Sequence, residues 1–313
     1  MFGFRNDGKR LKGIDPIQKI IPHIMSKRHD SQNSTRYEVR CESFDEFIRN
    51  ERKNGNNFNY MHIIIASILR TIALFPRLNR FVMNGRIFKR NYISVSFVVK
   101  RGLSATANES TVRIIFKGTE TLSEVRDKVN EAISLNNKDD SQNKTDNLAN
   151  FLTRVPNFLI KLGVGFVKWL DKHGMLPKKV LEASPFHTTF FITNLKSIKG
   201  DYIYHHLYDF GTTGLFFAMG KETMQPVVED DEIKIGKVMN LGCVTDERFC
   251  DGFYYVTAFK ETKKFFNDPS LLMTPLEELV EDQQVNSPIR KKREKQQRKQ
   301  EKINKKKRKE ANN

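Results

Sequence analysis

The chain of 313 residues carries 54 Lys and Arg against 37 Asp and Glu, which gives a formal net charge of +17 at pH 7. Its hydrophobic fraction of 38% supports a packed core in one large domain or two small ones. The three cysteines have neither metal-ligand nor redox spacing, and an odd, sparse set fits a reducing compartment better than a disulfide framework. We therefore expect a cytoplasmic protein without a bound metal, because sparse cysteines are typical of a reducing compartment.

The positive charge is concentrated at the carboxyl end of the chain. Residues 290–310 contain 13 Lys and Arg and 3 Glu, so this stretch alone contributes +10 to the formal charge. A segment so charged and so poor in aromatic residues cannot bury enough surface to fold alone. We predict that residues 276–313 form a disordered tail. It is either a solvated appendage or a weak contact, through residues 290–310, for nucleic acid, the ribosome or an anionic membrane.

Hydrophobic periodicity before this tail predicts strands and helices in mixed order. Strands are predicted at residues 36–41, 80–83, 86–92, 93–99, 112–116, 187–195, 211–220 and 238–244, the last of them fed by a hairpin at 226–237. Residues 16–28 are predicted to form a helix pair or a kinked helix with its break at Pro22. Further helices are predicted at residues 44–53, 60–75, 121–133, 148–175 and 253–266. The helix at 60–75 has the strongest pattern, and Asn84 with Gly85 marks a hairpin turn.

Two segments interrupt the order of strands and helices between residues 136 and 175. Residues 136–147 are rich in Asn, Asp and Lys without an apolar anchor, so we predict a mobile linker. Residues 148–175 form a helical insert whose apolar run is broken by lysines, which makes it unsuited to cross a bilayer. The insert either packs on the sheet or at a subunit contact, or lies on a membrane surface with Trp169 and the lysines as anchors.

One stretch combines a short apolar strand, a charged turn and the start of a helix. Residues 240–244 are mostly apolar, and four charged residues follow between 246 and 251. The turn resembles the Asp-His-Arg-x-x-Asp-Gly motif of the acyltransferase subunits of 2-oxoacid dehydrogenase complexes. The matching residues are Asp246, Arg248, Asp251 and Gly252, while Glu247 occupies the position of the family's catalytic histidine.

Two further segments resemble the same family and occur in the same order. Phe75, Pro76, Leu78 and Asn79 reproduce a Phe-Pro-x-Leu-Asn motif that follows a long helix. Residues 190–195 are similar to a Phe-Thr-Ile-Ser-Asn-Leu segment, with Thr193 at the hydroxyl position and Asn194 after it.

The resemblance to this family, which includes the chloramphenicol acetyltransferases, implies a fold and an assembly. The fold is α/β, a two-layer mixed sheet with helices on one face, of the CoA-dependent acyltransferase, chloramphenicol acetyltransferase-like type. The acyltransferase-like domain spans residues 16–275, behind a flexible arm at residues 1–15. The resemblance also implies a homotrimer whose active site lies at the subunit boundary.

The resemblance implies roles for the residues of the site. In the family the histidine is a general base toward the thiol of CoA or dihydrolipoamide, and the hydroxyl at Thr193 stabilises the oxyanion. Arg248 and Asp251 form a structural salt bridge behind the site, Asp246 and Asn194 are structural, and Gly252 brings the helix close to the strand. Two replacements for the base are open. Glu247 suits the role if burial raises its pKa, and His205 or His206 suits it if that pair lines the same cleft.

Two functions follow from these features. The first is a stand-alone acyltransferase that transfers an acyl group between CoA, or dihydrolipoamide, and an unknown acceptor, with acyl-CoA as co-substrate and without a covalently bound lipoyl group. The second is an inactive, trimeric binding or scaffold protein that acts through its basic tail. Binding of CoA distinguishes the two.

Overall fold

The computed structural model describes residues 5–100, 109–138 and 155–282. The strands are β1 Gly8–Arg10, β2 Gln32–Arg40, β3 Arg80–Met83, β4 Arg86–Arg90, β5 Ile93–Lys100, β6 Glu109–Phe116, β7 Phe190–Asn194, β8 Leu215–Glu229 and β9 Glu232–Asp246. The helices are α1 Pro16–Ile24, α2 Cys41–Lys53, α3 Tyr60–Leu74, α4 Leu122–Lys138, α5 Asn157–His173, α6 Lys178–Ala183 and α7 Gly252–Asn267.

The strands form a large mixed sheet and a small antiparallel one. Six strands pair in the order β2-β9-β8-β7-β5-β6, in which β7 runs parallel to both β5 and β8 and the other pairs are antiparallel. The small sheet has the order β1-β4-β3, and Asn84 and Gly85 close its hairpin with positive φ angles of 52° and 65°. The predicted mixed α/β fold is confirmed.

The main core lies between the large sheet and one layer of helices. Helix α3 packs against α4 and α7 and is buried along almost its whole length, because apolar residues surround its axis. Alternate residues of the central strands, among them Phe190, Phe217 and Cys243, point into this core. The residues between them point to the opposite face, where a smaller cluster contains Phe191, Phe216 and Val244.

The amino-terminal residues differ from the predicted flexible arm. Residues 8–10 form a strand against β4, and Leu11 and Ile14 are buried in the core. Arg5 is also buried, and it donates hydrogen bonds to Asp7 at 2.8 Å and to Asp171 of α5 at 2.8 Å. The predominance of basic residues and glycines in this segment predicts a solvated arm. Burial of Arg5 is tolerable because it pairs with Asp7 and Asp171.

The carboxyl boundary of the folded body also lies beyond the predicted residue 275. The backbone N–H groups of Leu276 and Val280 donate to carbonyl groups of the body. Asp282 is 3% exposed, and its carboxylate binds the buried Arg80 guanidinium at 2.7 Å. The predicted basic contact region at 290–310 lies outside the described residues. So do residues 139–154, which include most of the predicted linker and the start of the helical insert.

A buried histidine in α3 makes the stability of this core dependent on pH. His62 is 2% exposed; its Nδ1 accepts from the backbone N–H of Asn59 at 3.3 Å, and its Nε2 donates to the amide oxygen of Asn130 at 3.2 Å. Only the neutral ring satisfies both bonds. Burial lowers the pKa of His62 to about 4, from about 6.5 in an unfolded chain.

Acidification is therefore expected to destabilise the protein through His62. The unfolded chain binds a proton here between pH of about 6.5 and 4, while the folded chain does not, so stability falls as pH is lowered through that window. We expect a loss of about 3 kcal/mol in the free energy of unfolding. His62→Gln retains an amide for the capping box and should lack this loss. Urea unfolding of both proteins at several pH values measures it, and a pH-independent difference between them would contradict the prediction.

Candidate active site

Strand β9 ends in a carboxylate, Asp246, that is fully shielded from solvent. Its oxygens accept hydrogen bonds from Nε and Nη2 of Arg248 at 2.8 and 2.7 Å. Arg28 lies beside it, with Nε 3.5 Å from Oδ2, and the Ser31 hydroxyl donates to Oδ1 at 3.0 Å. Burial lowers the pKa of Arg28, and Asp246 opposes that shift. Buried charges are tolerated only when they are paired, so this carboxylate fixes the end of β9 to the segment before β2.

The salt bridge implied by the resemblance is formed with a different carboxylate. Arg248 pairs with Asp246, whereas the side chain of Asp251 is 57% exposed and caps α7 by accepting from the backbone N–H of Tyr254 at 2.9 Å. Gly252 also differs from its implied role, because a Cβ at this position would meet nothing within 4 Å. These two motif residues therefore shape the start of the helix, and Asp246 and Arg248 form the ion pair.

Glu247 is not enclosed by the part of the chain that the structure describes. It is partly exposed, and its Oε2 accepts a hydrogen bond from the side-chain amide of Asn33 at 2.6 Å. Its backbone N–H donates to the carbonyl oxygen of Ser31 at 3.0 Å. A neutral amide rather than Arg248 thus orients the carboxylate. The predicted role of general base requires Glu247 to be buried, and a single protomer does not bury it.

The sheet register separates Thr193 from the motif turn, residues 246–252. Thr193 pairs with Ala218 of β8, which in turn pairs with Gly242 of β9, five residues before Glu247. With about 4.8 Å between strands and about 3.3 Å per residue, the two positions are roughly 19 Å apart. Asn194 accepts from the backbone N–H of Ser197 and begins a 3₁₀ turn, so its role here is structural.

Residues 201–208, which we call the crossing segment, run over the sheet face that carries Thr193. A Cβ at Gly242 would clash with the carbonyl oxygen of Ile203, so glycine permits this close approach. Leu207 is buried in the small cluster on this face, and its backbone N–H donates to Oε1 of Gln32 at 2.7 Å. The segment is therefore held at both ends, by backbone contact with β9 and by β2.

The crossing segment places His205 flat on the sheet. Its ring stacks on Phe216, with centroids 4.1 Å apart and planes 4° apart. Because a carbonyl oxygen only accepts, the 2.8 Å contact between Nδ1 and the carbonyl of His206 fixes the proton on Nδ1 and leaves the lone pair on Nε2. Burial lowers the pKa of His205, which favours the neutral ring. His206 is exposed, and its ring lies 4.6 Å from that of His205.

The position of Phe216 locates His205 between the other two predicted site residues. Phe216 pairs with Phe191 on β7, two residues from Thr193, and with Val244 on β9, three residues from Glu247. The same strand geometry places Phe216 roughly 8 Å from Thr193 and roughly 11 Å from Glu247. The structure thus brings His205 closer to Thr193 than Glu247 is.

Several residues of this region have no signal in the sequence. Arg28, Ser31 and Asn33 hold the motif turn from positions more than 200 residues away, and Phe216 supports His205 from a strand that reads as ordinary core. Local spacing cannot reveal such partners, because the chain returns to them only through the order of strands in the sheet.

A basic cavity lies behind the motif turn. Its volume is about 440 Å³, and the cationic residues around it come from three segments of the chain. They are Lys27, Arg28, Lys168, Lys172 and Arg248. Within residues 5–100, 109–138 and 155–282, no cluster of three or more His, Cys, Asp or Glu side chains could hold a metal ion. No helix in the same ranges is long and apolar enough to span a membrane.

Residues 182–274 match the family model of the 2-oxoacid dehydrogenases acyltransferase (catalytic domain). A probable dihydrolipoamide acetyltransferase from Listeria monocytogenes has a similar structure, with a TM-score of 0.53 and 15% identity over 81% of this chain and 92% of that one. The predicted resemblance is confirmed. The chain has the acyltransferase fold, and β7, the crossing segment, the motif turn and α7 all lie within the matched residues.

Two further solved structures share this acyltransferase fold. The dihydrolipoamide acetyltransferase of Azotobacter vinelandii has a TM-score of 0.53 and 12% identity, with 83% of this chain and 93% of that one covered. The cubic core of a pyruvate dehydrogenase multienzyme complex gives the same values. No curated protein matches the sequence. Helix α5 precedes the residues that match the family model.

Proposed function

We propose that the protein is a CoA-dependent acyltransferase in which His205 is the general base. The observation that carries this proposal is the position of the His205 imidazole. The ring stacks on Phe216 with its proton on Nδ1, which leaves Nε2 unprotonated. It lies on the sheet face that also carries Thr193. A neutral imidazole accepts a proton near physiological pH. The acyltransferase fold and the family match at residues 182–274 support the same reaction class.

The reaction would proceed by acyl transfer through a tetrahedral intermediate. Nε2 of His205 takes the proton of the attacking group, and that group forms a bond to the acyl carbonyl carbon of the thioester. The Thr193 hydroxyl donates to the resulting oxyanion. Removal of such a donor typically raises the activation free energy by about 3–4 kcal/mol. The bond from carbon to sulfur then breaks, and the thiolate of CoA takes the proton back from His205.

We further propose that the active unit is a homotrimer with the site at the subunit boundary. Thr193 and Glu247 of one protomer lie roughly 19 Å apart, too far to contact one acyl group. Glu247 is partly exposed, so a second copy could complete its enclosure. In that assembly Glu247 of one copy would face the His205 and Thr193 of another and would bind or orient the acceptor.

Calorimetric titration of the full chain with acetyl-CoA tests the proposal. We expect saturable binding of one acetyl-CoA per subunit at ionic strengths of about 0.1 and 0.3 M. Sedimentation equilibrium is expected to give three times the chain mass of 36.5 kDa. Titration with adenosine 3′,5′-bisphosphate is the control for attraction of phosphate to the basic chain. Binding that disappears at the higher salt, or equal binding of both ligands, would contradict the proposal and favour a binding protein that acts through the tail.

A further inference from the structure

Helix α5 carries a row of large apolar side chains that face solvent. Phe158, Leu162, Phe166 and Trp169 follow at intervals of four, four and three residues, so they share one face of the helix. Their exposed fractions are 68, 69, 58 and 48%, respectively. The rings of Phe166 and Trp169 stack with centroids 6.2 Å apart, which makes this part of the row continuous.

The helix is attached to the body at one end. Asp171 is the single buried residue of α5, and its carboxylate contacts Arg5 at 2.8 Å and Nε2 of His187 at 3.1 Å. The remaining turns project away from this anchor, so the alternative that the helix packs on the sheet is not observed. A soluble protein rarely exposes such a row unless the row is a binding surface.

The charges on α5 are positive and lie beside the apolar row. Lys161, Lys168 and Lys172 are exposed and spaced by seven and four residues, so they form a second row. Asp171 is the one acidic residue of the helix, and it is buried, so α5 exposes no carboxylate. Lys168 and Lys172 also line the basic cavity of about 440 Å³ together with Lys27.

These features identify the surface that α5 fits. An apolar row with Trp and Phe next to a row of lysines is the pattern of a helix that lies in the interface of a bilayer. Anionic headgroups attract each lysine near the surface. A second copy docked through the same face of α5 is a less favourable partner, because the exposed lysines of the two helices would lie beside each other with no exposed carboxylate on either helix to pair them.

We propose that α5 docks the protein on an anionic phospholipid bilayer. The apolar row enters the boundary between headgroups and acyl chains, and the three lysines contact the lipid phosphates. The helix lies in the plane of the surface and does not cross the membrane. This surface is separate from the catalytic residues, so the proposal stands whether or not the protein transfers acyl groups.

Trp169 is the only tryptophan of the chain, so its fluorescence reports on α5 and not on the basic tail. The full chain is titrated with phosphatidylcholine vesicles, with or without about 30% phosphatidylglycerol. With the anionic vesicles, we expect the emission of Trp169 to shift to shorter wavelength and to be quenched by lipids brominated on their acyl chains. With phosphatidylcholine alone, we expect binding at least tenfold weaker.

Matched variants separate α5 from the rest of the molecule. Leu162→Glu with Phe166→Glu should weaken vesicle binding, measured by the Trp169 shift, by tenfold or more. Lys161→Glu with Lys168→Glu should weaken it by about tenfold. The control is Ile233→Glu with Ile235→Glu, which changes side chains 79 and 67% exposed on the β8–β9 hairpin and should leave the shift unchanged.

Three results would overturn the proposal. Vesicle flotation without any change in Trp169 emission would show that another part of the chain binds lipid. A shift that grows with protein concentration in the absence of vesicles would show that a second copy covers α5. An equal shift with neutral and anionic vesicles would show that the lysines do not recognise the headgroups.

Discussion

Replacement of Asp246 by alanine is expected to lower the free energy of unfolding by about 3–5 kcal/mol. The carboxylate is completely buried and pairs with Arg248 at 2.7 Å and Arg28 at 3.5 Å. Its removal leaves two buried cations without their counter-charge, and the cost of unpaired buried charge exceeds that of the lost hydrogen bonds. Urea unfolding monitored by circular dichroism measures the effect.

Asp251 provides the matched control, because it is the other aspartate of the same motif. Its side chain is 57% exposed, caps α7 and makes only a long, solvent-exposed ion pair with Arg77 at 3.9 Å. Asp251→Ala should therefore cost about 1 kcal/mol, the usual contribution of an N-cap. If Asp251→Ala proved as destabilising as Asp246→Ala, the ion pair with Arg248 would not be the contact that holds the motif turn.

Replacement of His205 by glutamine is expected to reduce acyl transfer by about 10²–10⁴-fold, the usual contribution of a general base. The stability of the fold should change by less than about 1 kcal/mol, because the side chain is only half-buried and lies at the surface of the sheet. Turnover is measured as transfer from acetyl-CoA to dihydrolipoamide or another thiol. A folded His205→Gln variant with full activity would exclude this residue as the base.

The pH profile of the same reaction distinguishes His205 from its alternatives. A base must be deprotonated, so kcat/KM should fall as the pH is lowered through the pKa of His205, which burial places below its ordinary value. His206→Gln should retain the acid limb, because the hydrogen bond that orients His205 is made to the backbone carbonyl of residue 206, which the substitution keeps. If Glu247→Gln reduced the activity and removed the acid limb from the residual activity, while His205→Gln and His206→Gln did neither, the base would be Glu247.

Local patterns predicted most of the strands and helices, although not β1, and the resemblance to the acyltransferase family predicted the fold. The apolar periodicity of residues 60–75 identifies α3, and Asn84 with Gly85 identifies the β3–β4 hairpin, because these signals depend on neighbours within a few residues. The motif at residues 246–252 and the segment at 190–195 indicated the acyltransferase fold. Such patterns predict a strand, a turn or the start of a helix, because each of these forms within one short stretch of chain.

The choice of partners depended on the tertiary structure. The sequence places Asp246 and Asp251 close to Arg248, and only burial of the end of β9 decides that Asp246 is the ion-pair partner. Likewise, the spacing of His205 says nothing about Phe216, which reaches it because β8 lies beneath the crossing segment.

The sequence by itself therefore determined most of the elements and which residue types the site contains. The tertiary structure decided which charges are buried, which side chains meet, and that α5 remains exposed. The physical reason is the sequence separation over which each interaction acts. Backbone propensity and periodicity act over a few residues, whereas the pairing of a buried charge or the stacking of a ring depends on chain segments brought together by the order of strands in the sheet.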